Sequence, residues 1–206
     1  MTEQNTRLGI LLMVVTTFIF AVQDGISRHL AGEYNVYMVV MIRYWFFAAF
    51  VIAVAARKAG GVLQAAATTQ PVFQAFRALL LVTEICVMIY AFTLLGLIEA
   101  HAVFAAYPLL VAALSGFIGV LVILKPGLGV FQPAAIVPLI AALMFALYAL
   151  VTRYAARRDS AATSFFWTGT VGSVAMTAVG IWFWEPMTGP DWGWMGALCI
   201  TGALGH

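Results

Sequence analysis

The stretch EAHAVFAAYPLLVAALSGFIGVLVILKPG, Glu99 to Gly127, decides how the rest of the chain is arranged. It opens with two ionisable residues, Glu99 and His101, runs apolar through Tyr107 and Pro108, and closes at Lys125-Pro126-Gly127. A helix needs roughly 20 apolar residues to cross a bilayer core, so a run of about 25 supplies one crossing and falls short of two. The charges on either side of it call for two.

Hydrophobic residues make up 64% of the chain and charged ones 9%, with a mean hydropathy of +1.03. No soluble domain of 206 residues could hide that much apolar surface. An all-α polytopic membrane protein is expected, with the lipid bilayer as its first partner. The formal charge of +2 is small and scattered, which speaks against nucleic acid and against a polybasic lipid switch. Cys86 and Cys199 lie inside apolar runs, where a thiol packs as a small hydrophobe, and no disulfide is expected. The first apolar run is as long as a full span and no small-residue cleavage site follows it, so it reads as a membrane helix and not as a secretory signal.

Apolar blocks follow one another with short polar punctuation. Leu8 to Ser27 is the first, ended by Arg28-His29 and Gly32-Glu33-Tyr34-Asn35. Val36 to Ala56 is the second, closed by Arg57-Lys58 and a small-residue loop through Pro71. Ala75 to Leu95 is the third, and the opening stretch supplies the fourth. The fifth runs from Ala134 to Tyr154 and the sixth from Phe165 to Trp184. A last block starts at Trp192 and reaches His206 after about half a crossing, which reads as a truncation.

Lysine and arginine favour the cytoplasmic side. Arg57, Lys58 and Arg77 place the second loop inside, which puts the N-terminus inside as well. Arg153, Arg157 and Arg158 also belong inside, and the acidic loop Glu185 to Asp191 then lies outside. Trp182, Trp184, Trp192 and Trp194 flank that loop as an interfacial belt would. Two cytoplasmic loops are separated by an even number of crossings, yet only three apolar blocks lie between Arg77 and Arg153. Either the Glu99 to Leu124 run fuses the start of one helix with the end of the next, or the rule is broken here. Phe20-Ala21, Ser27 and Arg28 recur as Phe145-Ala146, Thr152 and Arg153, each 125 positions later. Together with the charges, this suggests two homologous halves, the second inverted in the membrane.

At these positions the chain resembles the drug/metabolite transporter superfamily, of the EamA-domain type, and within it the aromatic amino acid exporters. The resemblance rests on FAVQDGISRHL at Phe20 to Leu30, MIRYWFF at Met41 to Phe47, AHAVFAAYPLLVAAL at Ala100 to Leu114 and GFIGVLVILKPG at Gly116 to Gly127. It implies ten helices in two inverted five-helix repeats, cytoplasmic termini in a bacterial-type inner membrane, and a central cavity. It also implies export of amino acids and related metabolites. Residues 1–127 would be the first repeat, with helices four and five fused, and residues 128–206 part of the second. Two departures stand out: Ser115 passes straight to Gly116 where the family has a cytoplasmic turn, and the last helices of the second repeat are missing.

Ionisable side chains inside spans cost several kcal/mol unless paired or facing water, so each is a functional candidate. Glu84 lies near the middle of the third block. It reads either as a cavity carboxylate that draws an ammonium group or carries a coupling proton, or as a partner for Arg43. Asp24 and Arg43 fall in one half of their helices and are expected to pair with each other; Gln23 accompanies Asp24. His101, Phe104 and Tyr107 share one helical stripe. Tyr90, Phe104, Tyr107, Tyr148 and Trp167 are the rings placed around a cavity, where aromatic faces suit a flat zwitterionic substrate. With 14% of the chain aromatic, packing between helices is the stronger expectation for any one of them. Pro108 and Pro138 are candidate hinges. The glycine pairs 116/119, 169/172 and 193/196 are expected where helices approach closely.

The sequence carries no zinc-protease helix, nucleophile elbow, phosphate-cradling glycine loop or metal-spaced histidine and cysteine cluster. No enzymatic activity and no cofactor are expected. Two function classes remain: a secondary carrier whose partner is a small-molecule substrate, an amino acid or similar metabolite, and a structural or assembly membrane protein that transports nothing.

Overall fold

The computed structural model of the chain describes residues 6–58, 60–105 and 133–204. Helix α1 spans Thr6–Glu33 and α2 spans Val36–Arg57, with a two-residue turn between them. Asn35 sets that turn, because its side-chain oxygen accepts the Tyr37 N–H at 2.9 Å and caps α2. α1 runs past Ser27 to Glu33, beyond the expected end, since neither Arg28 nor His29 breaks a helix. A short helix, α3, occupies Gly61–Ala66 in what the composition suggests is plain loop. Gly60 and Gly61 start it with φ of 100° and 62°, a left-handed entry that a side chain would strain.

Helix α4 spans Pro71–Leu95 and starts on its proline, whose missing N–H costs nothing in a first turn. Gly96, at φ 92°, breaks the chain into α5, Leu97–Phe104. Helix α6, Ile136–Ala155, follows a 3-10 turn over Pro133–Ala135. Helix α7, Ala161–Gly180, begins four residues before the expected Phe165 because Ser160 caps it, accepting the Thr163 N–H at 3.1 Å. A 3-10 turn over Ile181–Phe183 leads toward α8, Gly189–Leu204.

Among the described residues, five helices are long and apolar enough to cross a membrane: Gly9–Glu33, Val36–Arg57, Pro71–Leu95, Pro133–Ala155 and Ala161–Phe183. The described residues are all-α, and these helices mark the chain as an integral membrane protein. Large apolar side chains on the outside of the bundle agree, among them Met13, Phe18, Val72 and Val174, each at least 70% exposed. A water-soluble fold would lose about 25 cal/mol for every Å² of such surface left wet, whereas lipid accepts it at no cost.

Helices α2 and α4 form the centre. α2 packs most extensively on α7, α4 packs on α6 and α7, and α1 leans on α8 and α4. The α2–α7 seam is close because α7 presents glycines: a Cβ at Gly169 would stand 2.8 Å from Val51 Cγ2, one at Gly172 would enter the Tyr44 ring, and one at Gly180 would stand 2.8 Å from the Tyr37 carbonyl. Trp45 Nε1 donates across the same seam to Thr177 Oγ1 at 2.7 Å. Gly193 and Gly196 do not serve that purpose, since a Cβ there meets nothing within 4 Å. Cys86 and Cys199 are both free and buried, as their apolar surroundings predict.

The two basic loops lie at one end of the bundle. Thr68 Oγ1 donates to Asp159 at 2.8 Å, Trp167 Nε1 donates to the Ala66 carbonyl at 3.1 Å, and Lys58 and Ser160 line one cavity. α4 therefore leaves this basic end and α6 returns to it. The run from Glu99 to Gly127 continues beyond Ala105 outside the described residues, as do Tyr107, Pro108, and the Gly116 and Gly119 pair. What flanks it is described: Val137 shares a cavity with Tyr90 and Thr93, so α4 ends and α6 begins at the same, opposite end. Pro138 is no mid-helix kink. It is the third residue of α6, in the first turn, where a backbone N–H has no helical partner to lose.

Candidate functional site

Two buried arginines behave in opposite ways, and the contrast locates the site. Arg77, at 2% exposure, uses its guanidinium in full: Nε donates to Gln74 Oε1 at 3.0 Å, Nη1 to Tyr148 Oη at 3.1 Å and Thr152 Oγ1 at 3.5 Å, and Nη2 to the Ser164 carbonyl at 2.6 Å and Thr168 Oγ1 at 2.7 Å. A guanidinium has five N–H donors, and these are five acceptors. Asp159 joins the same network, accepting Gln74 Nε2 at 2.7 Å and Thr68. Nothing is left over for a ligand, and Arg77 ties α4 to α6 and α7.

Arg43, at 9% exposure, makes no ion pair and no side-chain hydrogen bond among the described residues. It sits in the middle of α2, against α8. A Cβ at Gly202 would stand 3.3 Å from Arg43 Nε and 3.6 Å from Gln23 Oε1, so the three residues meet at one point. Gln23 Oε1 is itself buried without a partner. Beside them Arg43, Tyr44, Phe47, Ile85, Cys199 and Gly202 enclose a cavity of about 10 Å³, room for roughly one water molecule. Glu84, on α4 and 4% exposed, lies within electrostatic reach of Arg43 and Asp24. It too has no ion pair among the described residues.

Asp24 does not pair with Arg43 as expected. Its Oδ2 lies 3.1 Å from His101 Nε2, because α5 turns back at Gly96 and brings the imidazole to the α1 flank. His101 is fixed twice more, by its Nδ1 at 2.9 Å from the Leu97 carbonyl and by the Phe92 ring stacked on it at 5.1 Å. The spacing of His101 and Phe104 along one helix predicts a shared stripe, but their partners differ: Phe104 meets Phe145 at 5.4 Å.

The aromatic candidates scatter. Tyr90 lines a cavity of about 700 Å³ at the end opposite the basic loops, together with Tyr34, Tyr37 and Thr93. Tyr148 belongs to the Arg77 network, with its ring 5.5 Å from the guanidinium carbon. Trp167 braces α7 against α3. Gln23 and Arg43 thus come together at Gly202, Asp24 and Glu84 lie within electrostatic reach of Arg43, His101 is bonded to Asp24, and Tyr90, Tyr148 and Trp167 have other partners.

Spacing rules did not find Arg77, although a signal existed. Tyr148 and Thr152, and Ser164 and Thr168, are two pairs of hydroxyl residues at i, i+4, each forming one polar stripe toward α4, where Tyr148, Thr152 and Thr168 offer their hydroxyls to Arg77 and Ser164 offers its carbonyl to Arg77 and its hydroxyl to Gln74. A second missed feature closes the opposite end, where Asp191 accepts Tyr34 Oη at 2.7 Å and Thr188 Oγ1 at 2.6 Å, with His29 Nε2 at 3.4 Å. The Thr188 and Tyr34 bonds hold the Asp191 carboxyl below its ordinary range against a small desolvation that acts the other way, and His29 adds to them. The chain matches no protein-family model, no curated protein and no solved structure.

Proposed function

We propose that this protein is a secondary carrier that exports amino acids and related amphipathic metabolites by alternating access, as its resemblance to the EamA-type drug/metabolite transporters implies. Aromatic amino acids are the substrates that this resemblance favours, and a bacterial-type inner membrane with the N-terminus cytoplasmic is the expected setting. One observation carries the reading: Arg43 and Glu84 are buried inside spans, within electrostatic reach of each other, and neither is ion-paired among the described residues. Ionised groups in that position cost several kcal/mol each, which packing alone does not repay. A zwitterion supplies what they lack, a carboxylate for Arg43 and Gln23 and an ammonium for Glu84.

The helix contacts support two halves related by a two-fold axis. Numbering the long helices of each half in order, α1 meets α8 and α4 meets α6, first with third and third with first, while α2 meets α7, second with second. The remaining cross-contacts, α4 with α7 and α2 with α8, are again a reciprocal pair. An inverted repeat with a site at its interface has this pattern. Uptake of radiolabelled phenylalanine into liposomes holding the purified protein tests the reading; flux no greater than in empty vesicles removes it.

A further inference from the structure

We propose that an anionic phospholipid seats in the cavity between α2, α3, α7 and α8, its headgroup on Lys58 and one acyl chain running down to Phe47; this inference is independent of the carrier reading. The cavity measures about 410 Å³, within the range of small-molecule sites. Its polarity is sorted by depth. Phe47, Val51 and Val54 follow one another at three- and four-residue spacing, with Lys58 at the C-cap, so a single face of α2 forms one wall from floor to mouth. Phe165 of α7 and Ala203 of α8 continue the apolar lining.

Depth identifies the occupant as a lipid chain. Lys58 lies eleven residues beyond Phe47, about 16 Å along a helix axis. One leaflet of a hydrocarbon core ~30 Å thick measures about 15 Å. Phe47 is the twelfth of the 22 residues of α2, so the floor lies at mid-span and the mouth where the span ends. The cavity therefore has the depth of one leaflet. Phe50 and Val54, which border it, are exposed on the flank of the bundle, and so are Leu63 of α3 and Val72 of α4 beside its mouth. A chain enters sideways from the bilayer, without crossing water.

Charge selects the headgroup. Lys58 makes no ion pair among the described residues. The loops at this end, residues 57–70 and 153–160, carry Arg57, Lys58, Arg153, Arg157 and Arg158 against the one carboxylate of Asp159, which already accepts Thr68 and Gln74. Gln64 and Ser160 line the same mouth with side chains that can donate to phosphate oxygens. No acidic residue lines the cavity among the described residues, so the ammonium of an amino acid has no partner there, and the site is not the one at Arg43. A free anion gains only the mouth, and a zwitterionic lipid brings its own cation to Lys58. A lipid with a net negative headgroup satisfies mouth and walls together, and in doing so bridges four helices.

The test uses the whole chain, purified in detergent and titrated with dioleoyl-phosphatidylglycerol or dioleoyl-phosphatidylcholine, with bound lipid counted by native mass spectrometry. Wild type should retain phosphatidylglycerol about fivefold more tightly, the share expected of one lysine at a membrane surface. Lys58→Gln should abolish that preference, while Arg153→Gln, which removes a cation of the same end outside the cavity, should keep it. Equal retention of the two lipids by wild type, a preference that survives Lys58→Gln, or one that falls as far in Arg153→Gln, overturns the site. Inorganic phosphate should not displace the lipid, and displacement would take away the chain's part in binding. Val54→Trp fills the wall and should lose both lipids; a folded variant that binds them as wild type does removes the chain from the cavity. Should that variant fail to fold, phosphatidylglycerol carrying a photoreactive diazirine at the end of one chain decides in wild type. Cross-links around Phe47 are required, and cross-links confined to α1 or α6 refute the proposal.

Discussion

Arg77 donates to Thr168 Oγ1 across 2.7 Å, and through that bond and its companions to Tyr148, Thr152 and the Ser164 carbonyl α4 is tied to α6 and α7 at the basic end. The guanidinium is planar and its five donors are fixed in a fork that no other side chain reproduces. Interhelical hydrogen bonds in membrane proteins average about 0.6 kcal/mol each, so Arg77→Ala should cost about 2–3 kcal/mol. Arg77→Lys keeps the charge with three donors and should cost about half as much. Thermal unfolding in detergent measures both, and equal midpoints for wild type and Arg77→Ala would contradict the role.

Glycine at the α2–α7 seam gives a sharper contrast. Gly172→Ala places a methyl group in the Tyr44 ring, which is only 3% exposed. Gly180→Ala presses a methyl on the Tyr37 carbonyl and on Met41. Overpacking of this kind costs about 1–3 kcal/mol. Gly193→Ala and Gly196→Ala meet open space, and alanine is the better helix former, so their expected effect is neutral to slightly stabilising. Parallel loss of stability in all four variants would show that these contacts are not what holds the seam.

Local signals fixed the helices because local physics does: Asn35 before Val36, Pro71 at a first turn and Ser160 before Ala161 are capping chemistry. The pairing of Asp24 was not legible. A helical period tells which residues share a stripe, but Asp24 has His101 beside it only because Gly96 turns α5 back, and no period encodes that turn's direction. Arg77 misled for a related reason. Counted by charge it marks a cytoplasmic loop, whereas its neighbours' hydroxyls allow it to be buried. Arg43, Glu84 and Gln23 were findable, because a polar side chain inside a span needs a reason wherever it points.

Acid should loosen the end opposite the basic loops. The Asp191 carboxyl lies below its ordinary value of 3.8 in the folded protein, chiefly through the Thr188 and Tyr34 hydrogen bonds. A group depressed on folding contributes stability that is complete above its unfolded value and is lost as pH falls through the folded one. Thermal midpoints measured from neutral pH downward should therefore drop below about pH 4 more steeply in wild type than in Asp191→Asn. Tyr34→Phe should shrink the difference. Curves that stay parallel down to the lowest pH would exclude this contribution.

Arg43 and Glu84 should act on opposite ends of one substrate, and that makes their effects separable by chemistry. A charge-assisted hydrogen bond in a buried site is worth about 1.5–3 kcal/mol, about tenfold or more in affinity. Phenylalanine should thus compete for transport about tenfold better than its methyl ester, which keeps the ammonium and loses the carboxylate. In Arg43→Gln that preference should collapse, because the residue that reads the carboxylate is gone. Glu84→Gln should leave the preference for the free acid in place and weaken both ligands. The double variant should lose less than the two single losses combined, since each leaves the other's partner badly seated. Trp167→Ala, which removes a brace between α3 and α7, should alter stability and leave the ester discrimination unchanged. Equal discrimination in wild type and Arg43→Gln would take the carboxylate away from Arg43 and, with it, the reason given for its burial.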